Sequence, residues 1–481
     1  MDPTTTGQTA SATALRKPGL LINGNYGRLW AGQTISVFGD FIFDTTLVLW
    51  IAAGIARGQP WAPLAVSGIF IATTVPMVVV GPIAGVFVDR WSKRGTMLAM
   101  DALRAVLVAF LLLISGVVSL PFLPGGHLPL FWQLGVIYAV VFLLNALSQF
   151  FRPASLALTG DIVPEETQAR AMGLSQTSMS IAMILGPTLA APLFVALGPE
   201  WALVINAFSF LASFLFIQTV TAPTAARSVS DGAQASLWRE FGLGLRYFLR
   251  SRVLVVLTIA ATIVMFGGGA LNALDYFFVT QNLHASTNLY GLIAGVMGIG
   301  LIVGSIVAGT FAQRIGLTRV VWVSLMVLAI TILFYARMTD FWIAAALVGF
   351  VGIFQASLNV AVGPLLLQSA PREMIGRVSS MLNPAITLST LAGAGLSGYL
   401  ASTILRGFSA TVLGMRFGPI DTILMGAGAI ALVGALFAMV GLRGVRPQIQ
   451  HAATATGEVA TTVATVDMAP DAIMPREPVL S

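Results

Sequence analysis

The chain has no cysteine among its 481 residues. That excludes disulfides, thiolate metal sites and cysteine nucleophiles. Its three histidines, His127, His284 and His451, lie far apart in sequence, so a metal centre is not expected. Lysine is almost absent, with only Lys17 and Lys93, and arginine carries the positive charge. Charge of either sign is scarce, at 9% of residues, where soluble domains carry about 25%. A chain that is 57% hydrophobic with so little charge cannot cover a water-facing surface, and it belongs in a bilayer. The net charge of +6 is spread over short loops, which gives no patch for nucleic acid. No phosphate-binding loop of the G-x-x-x-x-G-K-S/T type occurs, so ATP drive has no support. No interfacial carboxylate pair or histidine cluster suggests an enzyme, and no cofactor is implied. The start, MDPTTTGQTASATALRKPG, is polar and lacks an apolar stretch directly behind its charges, so no cleaved secretory signal is expected.

What is present is a series of long apolar runs. A helical span needs about 20 such residues, and the chain has room for about a dozen. The expected spans are 29–54, 63–88, 96–120, 130–151, 171–197 and 201–220, then 253–279, 289–312, 318–335, 341–367, 378–405 and 420–442. This gives a tail (1–28), a six-helix bundle (29–220), a linker (221–252), a second six-helix bundle (253–442) and a tail expected to be disordered (443–481). The end of the linker is amphipathic. Leu237, Trp238, Phe241, Leu245, Phe248 and Leu249 share one helical face, and Arg239, Arg246 and Arg250 the other. Such a helix lies flat in the headgroup region. Loop charge sets the orientation. With both ends inside, the inner loops hold most of the arginines, while the outer loops hold only Arg57, Arg337, Arg406 and Arg416. Both termini are therefore expected in the cytoplasm.

The halves echo one another. Val163-Pro164-Glu165-Glu166 with Arg170 matches Ala370-Pro371-Arg372-Glu373 with Arg377 at one constant offset, which Gly186 and Gly393 share. Two parallel six-span repeats follow.

Acids inside spans are expensive in a bilayer and point to function. Asp40 and Asp44 lie four residues apart in span 1, on one helical face. Two like charges so close favour one of them carrying a proton, as proton coupling requires. The plainer reading is a cap after Gly39 or a pair with a basic group. Asp275 follows Gly267-Gly268-Gly269 and Asn272 in span 7, where three glycines invite a kink; it suits either substrate or proton contact or outer-gate structure. Asp101 and Arg104 in span 3 read as a structural ion pair at the inner end. Asn145, Ser148, Gln149, Gln355, Asn359 and Asn383 are polar groups within spans, as is Asn272, and are candidates to line a cavity or to bond between helices.

The densest charge cluster is Gly85 to Gly95, GVFVDRWSKRG, between spans 2 and 3. Its Gly-x-x-x-Asp-Arg-x-Ser-Lys-Arg pattern resembles the loop motif of the major facilitator superfamily, with Ser92 for a glycine and Lys93 for an arginine. Gly309-x-x-x-Gln313-Arg314-x-Gly316 is a weaker second copy, with Gln313 in place of Asp89, which suggests unequal roles for the two halves in gating. The resemblance implies an all-α membrane fold of two pseudo-symmetric six-helix bundles. It also implies a gate in which Asp89, with Arg90, Lys93 and Arg94, meets the start of span 11 near Arg377, while Gly85 lets spans 2 and 11 approach. Gly173, Ala182 and Gly186-Pro187 in span 5 resemble the superfamily's antiporter motif, with alanine in place of several glycines. The plainer reading of that stretch is small-residue packing between spans 5 and 8.

Leu29-Trp30, Gly32-Gln33, Gly39-Asp40, Arg152-Pro153-Ala154 and Leu185-Gly186-Pro187 resemble the twelve-span drug:proton antiporter branch, which includes macrolide-efflux and enterobactin-exporter types. One departure is an arginine that many such antiporters carry within span 4, absent from the span as delimited above. The branch implies a bacterial cytoplasmic-membrane exporter of drugs or other amphipathic small molecules, monomeric and driven by protons. The alternatives are a dedicated exporter of a siderophore or another secondary metabolite, and a non-transporting sensor or lipid-handling scaffold.

Overall fold

The computed structural model describes residues 22–88, 90–114, 128–221, 245–246, 248–369, 372–412 and 415–443. Asp89, most of the amphipathic linker and both tails lie outside this set, and with them the expectations placed on them.

The chain is a bundle of long helices. In order they are α1 (Gly24–Leu49), α2 (Ala62–Val79), α3 (Gly81–Val88), α4 (Lys93–Ile114), α5 (Leu130–Ile162), α6 (Glu165–Leu197) and α7 (Glu200–Gln218). After the linker come α8 (Arg252–Phe277), α9 (Thr287–Ile315), α10 (Leu317–Tyr335), α11 (Phe341–Ser369), α12 (Arg372–Ser402) and α13 (Pro419–Leu442). Among the described residues 11 helical segments are long and apolar enough to cross a membrane. The 31-residue α12 completes a set of twelve crossings. Its serines, threonines and glycines make it the least apolar, and it is packed between helices of both bundles. The protein is a multi-pass membrane protein.

Local chemistry places the boundaries. Asn23 caps α1 by accepting from the Tyr26 amide at 2.7 Å. Its amide nitrogen donates to the Ile162 carbonyl at 2.7 Å, which ties the start of α1 to the end of α5. Ser251 caps α8 in the same way. Glu165 and Glu166 fill the first turn of α6, where a carboxylate meets the helix dipole favourably. Gly198 ends α6 with φ +85°, a left-handed conformation that suits glycine.

Span 2 is divided into α2 and α3 where Gly81 and Pro82 follow Val80, because proline supplies no amide hydrogen. Span 4 runs past its expected end at Phe151: Pro153 sits inside α5, which continues to Ile162, and residues taken as a loop are helical. A short hairpin, β1 (Ala410–Val412) with β2 (Met415–Phe417), joins α12 to α13. The three glycines Gly267–Gly269 lie within the continuous helix α8, with no unwinding there.

The two bundles repeat one packing pattern. In the first, α1 packs on α6 and α7, α4 on α5 and α7, and α2 on α5. In the second, α8 packs on α12 and α13, α10 on α11 and α13, and α9 on α11. Helices α1 and α8 are both 26 residues long, and each continues into a π-helical turn, 50–55 and 278–282. Gly39 and Gly267 stand equally far from their helix starts. A Cβ on Gly39 would lie 2.8 Å from Asn206 Oδ1 of α7, and one on Gly267 2.7 Å from the Ala427 carbonyl of α13. Each glycine lets the first helix of its bundle touch the last.

Candidate functional site

The bundles meet along α6 with α9 and along α2 with α12. The contacts use small residues. Gly291 sits against the Pro187 carbonyl and Ala191, Gly295 against Thr188, and Gly298 against Ile184. Ser67 Oγ donates to the Ala394 carbonyl at 2.8 Å, and the Leu64 amide donates to Ser402 Oγ at 3.0 Å. All of these lie toward the face opposite the ends of α1 and α13. Nearer the terminal face, a Cβ on Gly85, Gly173 or Gly363 would meet nothing within 4 Å. Among the described residues the tight contacts between the bundles lie toward the opposite face.

A cavity of about 610 Å³ opens on the terminal side within the first bundle. Asp40 and Asp44 both line it, and Asp44 is exposed to it. Around them stand Trp30, Phe41, Phe210, Met172 and Met179, with Gln33, Gln176 and Asn206 as neutral polar groups. The mixture suits an amphipathic ligand: apolar area for burial and a few polar groups for orientation. Gln33 bonds Ser155, and Thr34 donates to Ser178 Oγ at 3.1 Å, which holds α1 to α5 and α6. Along α6 the order is cavity (Met172 to Met179), seal (Ile184 to Ala191), then a second cavity of about 750 Å³ at Phe194 and Val195 on the opposite face.

The structure gathers only some of the expected site residues. Asn145, Ser148 and Gln149 reach the cavity wall, while each side chain also donates to a carbonyl of its own helix. Gln355 donates to Asn359 at 3.4 Å on α11. Asn383 and Asn272 are exposed on helices of the second bundle. Asp275 stands apart, accepting from the Tyr335 hydroxyl at 2.5 Å. In the charged loop, Lys93 pairs with Asp161 at 2.7 Å. Arg94 donates to the carbonyls of Ile217 and Gln218 at the end of α7, a favourable place for a cation. Arg90 is exposed. Arg377 lies on α12. Of the antiporter motif, Gly186 packs on α1, with a Cβ there 2.5 Å from Phe41 Cβ, while Ala182 is fully buried. Pro187 provides the α9 contact.

Sequence reasoning left two cations out of the cavity. Arg152 lies within α5 and lines the cavity, so span 4 does carry an arginine. It was hidden because Pro153 after it reads as a helix end. Arg104 also lines this cavity, so the Asp101–Arg104 pair lies beside Asp40 within the bundle.

Comparison with known proteins agrees with the architecture. A family described as transmembrane secretion effectors matches residues 20–443. The chain belongs to this family and is a major facilitator transporter. It is 23% identical over 434 residues to the uncharacterized MFS-type transporter YkuC of Bacillus subtilis (strain 168), covering 87% of this chain and 93% of that one. It is 24% identical over 382 residues to macrolide efflux protein A of Streptococcus pyogenes, covering 78% and 89%. Among solved structures, nucleoside transporter NupG superposes with a TM-score of 0.65 at 13% identity, covering 88% of this chain and 100% of that one. A bacterial homolog of the human lysosomal transporter Spinster, in an inward-facing and unoccupied conformation, gives 0.62 at 14% identity, covering 87% and 96%. The last two show the fold alone.

Proposed function

We propose that this transporter exports drugs or other amphipathic small molecules across the bacterial cytoplasmic membrane, as a monomer, by proton antiport with alternating access. The observation that carries the reading is the Asp40–Asp44 pair on the wall of an aromatic and methionine-lined cavity. The relationship to macrolide efflux protein A supports the direction of transport. With the termini in the cytoplasm, the open cavity takes substrate from inside. A charge in this setting costs ~2.5–3.5 kcal/mol unless it faces water, a partner or a ligand. Protonation of the pair removes that cost, and loss of the proton to the cytoplasm restores a carboxylate for the next cycle. The two bundles (29–220 and 253–442) then rock about the small-residue seals. Asp89 with Arg90, Lys93 and Arg94 closes the terminal face against α12 near Arg377 in the opposite state.

A second reading, a dedicated exporter of an acid-bearing metabolite such as a siderophore, is favoured by Arg152, which is exposed on the cavity wall. The experiment is accumulation of macrolides, dyes and siderophores in an efflux-deficient bacterium, with and without protonophore. Drug export predicts lower accumulation of a macrolide or dye, lost with protonophore. Movement of a siderophore alone supports the second reading, and no movement with good expression refutes drug export.

A further inference from the structure

One buried ion pair is left unused by the cycle above. Asp101 and Arg104 are 0% and 3% exposed and bond to each other one turn apart on α4. The guanidinium lies 4.4 Å from the ring centre of Phe151 and 4.5 Å from that of Phe210. Despite this burial, Arg104 Nε has no hydrogen-bond partner. Burying an ion pair is costly when its remaining donors and acceptors go unmet. Replacing such a pair by apolar side chains of the same volume is often neutral or stabilising, so packing alone gives little reason to keep it.

Arg104 shares its cavity with a second carboxylate. It lines the cavity that holds Asp40, and the charges of Arg104, Asp101 and Arg152 all act on Asp40. We propose that Arg104 is a positioning residue for Asp40, a counter-ion shared between Asp101 and Asp40 and drawn to Asp40 whenever that carboxyl gives up its proton. The inference rests on the proton-coupled reading. The proton itself passes between Asp40 and cavity water, and Arg104 stays charged throughout. Its free Nε supplies a donor for the second acid. The faces of Phe151 and Phe210 keep the planar group in contact as it shifts. The charged groups around Asp40 are Asp44 on α1, Asp101 and Arg104 on α4 and Arg152 on α5, while α6 and α7 offer neutral groups such as Gln176 and Asn206.

The absence of cysteine permits a direct test on the full chain. Glu166→Cys on α6 and Arg319→Cys on α10 are exposed sites on the terminal face of the two bundles. Spin labels there, in nanodiscs of phosphatidylethanolamine and phosphatidylglycerol, report its opening by double electron–electron resonance between pH 5 and 9. Arg104→Gln should raise the pH midpoint of the distance change by about one unit, because Asp40 loses a counter-ion. Asp101→Asn should lower it, because Arg104 then serves Asp40 alone. Arg104→Lys, which keeps the charge but lacks Nε and the planar group, should fall between wild type and Arg104→Gln, and Asp101→Asn/Arg104→Gln, which keeps the site's net charge, should return toward wild type. A purely structural pair predicts loss of stability from both single substitutions and no opposed shifts. Shifts of one sign, or none, with the pH response abolished by Asp40→Asn, overturn the role of Arg104 and leave proton coupling standing. A pH response that survives Asp40→Asn overturns the role of Arg104 and leaves the coupling to Asp44, while a wild type without a pH response overturns both.

Discussion

Three consecutive glycines in α8 offer a test of what small residues do in this fold. A Cβ on Gly267 would lie 2.7 Å from the Ala427 carbonyl, and one on Gly269 would lie 2.8 Å from the Ala394 amide and closer still to the Thr390 carbonyl. On Gly268, between them, it would meet nothing within 4 Å. The first two press on backbone, which cannot swing aside as a side chain does. Each alanine there should cost ~1–3 kcal/mol, the usual range for overpacking a tight contact. Gly268→Ala should be neutral or stabilising by up to ~1 kcal/mol, since alanine is the better helix former. The three substitutions add the same methyl to the same helix, so differences between them report packing alone. Thermal unfolding of detergent-solubilised protein, followed by size-exclusion fluorescence, should place Gly267→Ala and Gly269→Ala several degrees below wild type and Gly268→Ala at or above it. If Gly268→Ala loses as much as its neighbours, the glycines serve a hinge, and the packing argument is wrong.

Other outcomes follow from the seal and the charges. Gly291→Ala presses on the Pro187 carbonyl between bundles, so it should favour opening of the opposite face and shorten the terminal-face distance between labels at 166 and 319, with little change in thermal stability. Arg337 bonds Asp421 at 2.9 Å and the Arg416 carbonyl at 3.1 Å; Arg337→Ala strands a nearly buried carboxylate and should cost ~1–3 kcal/mol, read as a lower unfolding temperature. Lys93 and Asp161 are about a third exposed, so Asp161→Asn should cost under ~1 kcal/mol in the same assay. Asp89→Asn should lower macrolide export while leaving the unfolding temperature unchanged; an equal fall in both would assign it to structure.

The twelve crossings were legible because each needs a long apolar run, and loops between them are short and charged. Helix ends were less legible. Pro153 reads as a stop, but inside α5 neighbouring helices supply the packing that holds the turn together, so the helix runs through it to Ile162. The same misreading hid Arg152 from the cavity. Asp40 and Asp44 could be found from spacing alone, since two acids in one span stand out against an apolar background. Arg104 could not, because its spacing from Asp101 also describes an ordinary ion pair. Only tertiary structure shows that Arg104 Nε is unbonded and that Asp40 shares its cavity. The contacts of Gly186 were divided for a similar reason: a stripe of small residues shows that something approaches, and three dimensions show that α1 lies on one side and α9 on the other.

The repeat also explains why the two bundles need not share the chemistry. Gly39 and Gly267 hold equivalent places and do equivalent packing, so the scaffold demands the same residue twice. Asp44 and Asn272 hold equivalent places too, equally far along α1 and α8, and both are exposed. Here the scaffold demands nothing, and the residues differ by one ionisable group. Asp40, Asp101, Arg104 and Arg152 deepen the contrast, since all belong to the first bundle and act on one another there. Rocking requires two faces that slide over small residues, and both bundles provide them. Proton coupling requires only one bundle whose cost of facing the cavity changes with charge. Among the described residues the acids and arginines on the wall of the cavity of about 610 Å³ belong to the first bundle, so on the proton-coupled reading proposed above the conformational change is shared between the halves while the response to protons is carried by one.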